Sequence, residues 1–88
     1  MCTYATVKTT LQGSAKGPDS KWFSVTDGTV YFDHPVHAMA EHTLNIDFTA
    51  PAKGAGARVA VELTAQSARE LVAAIEEALA SAPDALKV

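Results

Sequence analysis

The chain carries a single cysteine, Cys2, among 88 residues. One thiol cannot close an internal disulfide, so the secreted, disulfide-stapled class is excluded and a cytoplasmic location is expected. Basic charge is also scarce. Seven Lys and Arg face ten Asp and Glu, for a net charge of −3 and a pI near 5.4. A surface without basic excess lacks the phosphate-neutralising term that nucleic-acid binding requires, so no nucleic-acid partner is expected. Apolar runs fall far short of the ~20 residues of a membrane span. The start, Met1 to Lys8, has no basic region followed by an apolar one, so no secretion signal is expected. Repeats and low-complexity segments are absent.

What remains is ordinary for a folded chain: hydrophobic residues at 48% and charged residues at 19%. A length of 88 residues accommodates one domain, 1–88, and excludes a kinase, a barrel, a repeat array or a cofactor domain joined to a substrate domain. A domain this small buries only about 60–65% of its extended-chain surface. Without disulfides it needs a metal, very good packing or a partner subunit, and a homodimer is the simplest of these.

The alternation of apolar residues marks four extended segments. Thr3–Leu11 is the first, with Ala5, Val7 and Leu11 in phase, and Gly13–Lys21 follows as a loop turning at Gly17-Pro18. Trp22–Asp33 is the second, but Phe23 and Val25 lie out of phase with Val30 and Phe32. Asp27-Gly28 is therefore either a type I′ hairpin turn or, in the slightly favoured reading, the site of a bulge in one long strand. His42–Thr49 and Arg58–Leu63 alternate cleanly. The period then changes: Ala68, Leu71, Val72, Ile75 and Leu79 repeat at helical spacing, opposite Arg69, Glu70, Glu76 and Glu77. Thr64 is the expected N-cap, Ser67 with Glu70 a competing capping box, and Pro83 the stop. The expected fold is α+β: an antiparallel β-meander of four strands, five if Asp27-Gly28 is a turn, then one C-terminal helix packed on one sheet face. The other face is mixed, with Tyr4, Thr6, Tyr31, Thr43, Asn45, Asp47, Arg58 and Glu62, either solvated or met by a second subunit.

The strongest chemical signal is a cluster of histidines. All three, His34, His37 and His42, fall in the segment Asp33–His42. Random placement clusters three residues so tightly on the order of a few per cent of the time. Imidazole is the common nitrogen ligand of zinc, iron and copper, and an open catalytic site takes three protein ligands. Pro35 holds His34 extended, so the segment turns and is not the helical pair of a zincin. Asp33 and Glu41 could orient the rings. If residues 22–33 form one strand antiparallel to the first, Cys2 comes near His34 as a conditional fourth ligand. In the hairpin reading it does not. Against this stand plainer roles: His42, in phase with Leu44, Ile46 and Phe48, as a strand-end histidine, His34 and His37 as solvated loop residues, and Cys2 as a half-buried strand residue. Asn45 and Asp47 share a face and suit a polar ligand or simply the wet side of a strand. Lys53-Gly54-Ala55-Gly56 is too short and wrongly placed for a phosphate loop.

The segments Met1-Cys2-Thr3-Tyr4, Gly13-Ser14-Ala15-Lys16-Gly17, Asp33-His34-Pro35-Val36-His37 and Glu41–Phe48 resemble a family of short, Ala-rich, uncharacterised actinobacterial proteins. The resemblance implies a free-standing bacterial protein, an accessory factor in secondary metabolism, and brings no activity or site residue with it. Three functions follow from the residues themselves. The first is a cytoplasmic metal-binding protein, extending to a metalloenzyme acting on a small molecule, with His34, His37, His42 and Cys2 holding a divalent transition metal. The second is a metal-free homodimer that binds or transforms a small metabolite, with His37 or His42 as the catalytic acid or base. The third is a structural or regulatory interaction domain.

Overall fold

In the computed structural model, which describes residues 4–87, strands β1 (Thr6–Lys16), β2 (Trp22–Asp33), β3 (Thr43–Thr49) and β4 (Arg58–Leu63) form one antiparallel sheet in chain order. Helix α1 (Ala65–Ser81) follows. The class is therefore α+β, as the change from two-residue to helical period predicts. β2 and β4 fill the ranges marked by their alternation. β1 instead runs on past Leu11, through residues whose small side chains had marked them as loop. The cause is its neighbour: Gly13, Ser14, Ala15 and Lys16 pair with Val25, Ser24, Phe23 and Trp22, and an available ladder outweighs weak strand propensity.

Asp27-Gly28 is not a turn. Both residues lie inside continuous β2, paired with Thr10 and Thr9 on one side and with Thr49 and Phe48 on the other. The irregularity lies across the ladder: register shifts between Thr10 and Gly13, so Leu11 and Gln12 together oppose Thr26. Gly28 has no positive φ, which a type I′ turn would demand. Its space is taken instead, since a Cβ there would lie 2.9 Å from Leu11 Cδ1. Val25 lines a groove with that same Leu11, Phe48 and Val59, so the apolar side of β2 changes parity at the level of the shift.

Register sorts the two faces. Val7, Val30, Ile46 and Val61 form one row across the sheet, and Phe32, Leu44 and Leu63 the next apolar row. Between them, facing the other way, run Tyr31, Asn45 and Glu62. Thr64 caps α1, its hydroxyl accepting the Ser67 N–H at 3.1 Å, which decides between the two candidate caps. The helix buries none of its residues and touches the sheet only sparingly, at β3 and β4. Leu71, Val72, Ile75 and Leu79 stay 42, 55, 51 and 54% exposed.

Candidate polar cleft under the histidine loop

Residues 34–42, between β2 and β3, fold over the polar side of the sheet. Glu62 of β4 holds them there. Its carboxylate accepts three successive backbone N–H groups, from Val36 at 2.5 Å and from His37 and Ala38 at 3.0 Å each. Consecutive amides of this kind form a concavity that favours an anion. The Val36, His37 and Ala38 amides accordingly hold the Glu62 carboxyl below its ordinary 4.5. Beneath lie the buried polar residues of the described chain, Thr43 at 0% exposure and Asn45 at 5%. The Thr43 hydroxyl donates to Asn45 Oδ1 at 2.6 Å, so this acceptor is satisfied.

Between loop and strands opens a cleft of about 750 Å³, within the range of small-molecule sites. Tyr31, Asn45, Asp47, Arg58 and Glu62 line it from the sheet, and His34 and His37 from the loop. Asp47 organises its floor. One carboxylate oxygen accepts from Arg58 Nη2 at 2.9 Å and the other from the Tyr31 hydroxyl at 3.3 Å. Burial, then the Asp47 charge and hydrogen bond, push the Tyr31 phenol above its ordinary 10.0, so it remains a protonated donor. The Asp47 hydrogen bond and charge likewise raise Arg58, which stays cationic. With side-chain exposures of 52% for Arg58 and 17% for Asp47, the ion pair contributes about 0–1 kcal/mol. Its consequence is orientation more than stability.

His34 joins the cleft to a stack of rings at its edge. His34 Nδ1 lies 2.9 Å from the Glu41 carbonyl oxygen. A carbonyl only accepts, so Nδ1 carries the proton and Nε2 is the basic nitrogen of the neutral ring. The His34 ring stacks on His42 at 4.4 Å between centroids, and His42 on Phe32 at 5.7 Å, with Tyr4 adjoining. Among the described residues, His42 Nε2 is buried without a hydrogen-bond partner. His37 is fixed through its backbone bond to Glu62 and lines the cleft. Asp33 accepts the His34 backbone N–H at 2.7 Å, while Glu41 contributes its carbonyl. Among the described residues, no three or more His, Cys, Asp and Glu side chains are grouped to hold a metal ion. Cys2 lies outside the described residues. β2 does return beside the start of β1, Tyr31 pairing with Thr6, as the one-strand reading requires.

Sequence reasoning placed Tyr31, Arg58 and Glu62 on the polar face without assigning them a role. Their signal was register: Tyr31, Asn45 and Glu62 form one row across three strands, visible only once the strands are paired.

Fold and cleft together define a small α+β protein with an antiparallel sheet and a loop-roofed polar site. Residues 1–88 match a family of unknown function (DUF6295), and the chain belongs to it. No curated protein and no solved structure matches the chain. Among the described residues, no helix is long and apolar enough to cross a membrane.

Proposed function

We propose that the protein binds a small, polar, amine-bearing metabolite in the cleft beneath residues 34–42. The observation that carries this reading is the charge lining the cleft: Asp33, Asp47 and Glu62 against the single cation Arg58. That imbalance favours a ligand bringing a positive group, with Arg58 and Asn45 left to meet its carboxylate or hydroxyl. In this reading, any proton exchange with the ligand falls to His37 at the cleft and not to His42, whose ring packs among aromatics. The test is titration of labelled protein with free amino acids, simple monoamines and simple monocarboxylates, followed by amide NMR. Amines and amino acids should shift Tyr31, Asn45, Asp47 and Arg58, and Asp47→Asn should weaken binding at least tenfold, about 1.4 kcal/mol. Selective response to monocarboxylates, or no response to any class, would refute the proposal.

A second reading is metal binding by His34 and His42, with His37 and Cys2 as further donors. It is supported by the buried, unpartnered His42 Nε2 beside a His34 ring whose Nδ1–H meets a carbonyl, the outer-shell contact usual for ligating histidines. Elemental analysis of untagged protein purified without chelators checks it. The expected outcome is near-stoichiometric zinc, iron or copper that is lost in His42→Ala. Metal-free protein that takes up none of these on titration would end this reading.

A further inference from the structure

The face opposite the cleft is unfinished. The apolar stripe of α1 is about half exposed along its length, and Val7 at the start of the apolar row is 60% exposed. The total accessible surface is 6649 Å² for a 9.2 kDa chain. A compact monomer of that mass exposes about 4,900 Å². The excess is therefore about 1,700 Å². The radius of gyration, 14.4 Å, is likewise larger than the ~12 Å of a compact chain of this length. Part of that excess is apolar, at Val7 and along the half-exposed stripe of α1, and monomers seldom leave large contiguous apolar patches uncovered.

We infer that this face is the interface of a two-fold homodimer, in which the α1 stripe of each copy lies over the apolar sheet face of its partner. The area fits: a standard interface removes about 800 Å² from each partner, and obligate dimers remove more. The choice of a second copy follows from what one chain already carries. It presents both a ridge, Leu71-Val72-Ile75-Leu79, and a flat apolar surface, Val7-Val30-Ile46-Val61 with its flanking row. A two-fold axis matches the ridge of each to the surface of the other in a single isologous contact. At about 1.5 Å per residue, the 17-residue helix is roughly 25 Å long, enough to cross four strands spaced about 4.8 Å apart. The polar faces of Glu70, Glu76 and Glu77 remain outward. The interface lies on the side of the sheet away from the cleft and is independent of what the cleft binds.

Sedimentation velocity and thermal unfolding of the full chain over a wide concentration range test the inference. The expected mass is twice 9.2 kDa, with a Tm that rises with concentration because association stabilises the folded state. Ile75→Asp should raise the dissociation constant by about two orders of magnitude, since it buries an unpaired charge, whereas Glu76→Lys should leave it unchanged. If Ile75→Asp does not fold, Ile75→Ala is read instead, with weakened association as the supporting result. A folded monomer with a concentration-independent Tm would overturn the inference. So would a dimer indifferent to changes at Ile75, or a mass that forms only with a different protein present.

Discussion

A Cβ on Gly28 would sit 2.9 Å from Leu11 Cδ1 and 3.4 Å from Thr9 Cγ2, inside van der Waals contact. The near atoms are side-chain methyls and not backbone, so the movable end of Leu11 must give way to any larger residue here. Gly28→Val should therefore destabilise the fold by about 1–3 kcal/mol through overpacking. Leu11→Ala should relieve part of that loss, so the double variant is less damaged than the two single effects summed. Denaturant unfolding of the four proteins measures the coupling, and simple additivity would show that Leu11 is not the obstruction. This residue also marks where sequence reading stopped. Asp-Gly between apolar runs has the composition of a hairpin turn, and nothing local reveals that the neighbouring strand leans a leucine over it.

Glu62 shows the same limit at the scale of an element. The loop 34–42 owes its place to one carboxylate on β4, 24 to 26 residues away in sequence from the amides it holds. The folded pKa of Glu62 is depressed, so the tether contributes fully above its ordinary 4.5 and is lost as pH falls through the lower folded value. Acidification below 4.5 should therefore loosen the loop before the sheet melts. Hydrogen exchange at the Val36, His37 and Ala38 amides reads this directly. Glu62→Gln should leave those amides exchanging faster at neutral pH and remove the acid-dependent change. Equal protection of parent and variant would mean that something else holds the loop. The histidine cluster was legible as composition. Its arrangement, with His34 stacked on His42 and His34 and His37 both lining the cleft, became visible only in the folded chain. Helix α1 is the opposite case: its stripe, its Thr64 cap and its stop before Pro83 are local properties, and each was readable in order along the chain.

For the whole molecule, surface area decides what periodicity could not. An amphipathic helix after a one-faced sheet reads as a helix packed on that sheet, because the pattern states only that the stripe seeks apolar contact. It does not state whose. α1 follows β4 after the single residue Thr64 and meets β3 and β4, yet its stripe stays about half exposed and the chain exposes 6649 Å². The proposed dimer would account for both the uncovered stripe and the marginal size of the chain. If it forms, dilution should cost this protein thermal stability in a way that a compact monomer would not share. The cleft, on the other side, needs no second copy.

The positions of β2, β3 and β4, the helix phase, the class and the scarcity of basic charge were determined by the sequence alone, since each depends on neighbours within a few residues or on composition. Tertiary structure decided the rest: the long β1, the role of Gly28, the Tyr31–Asp47–Arg58 floor, the Glu62 tether and the uncovered helix. Each depends on pairing between segments far apart in the chain. A local pattern fixes which face each residue takes, but which residues of distant strands meet is settled only when the strands pair.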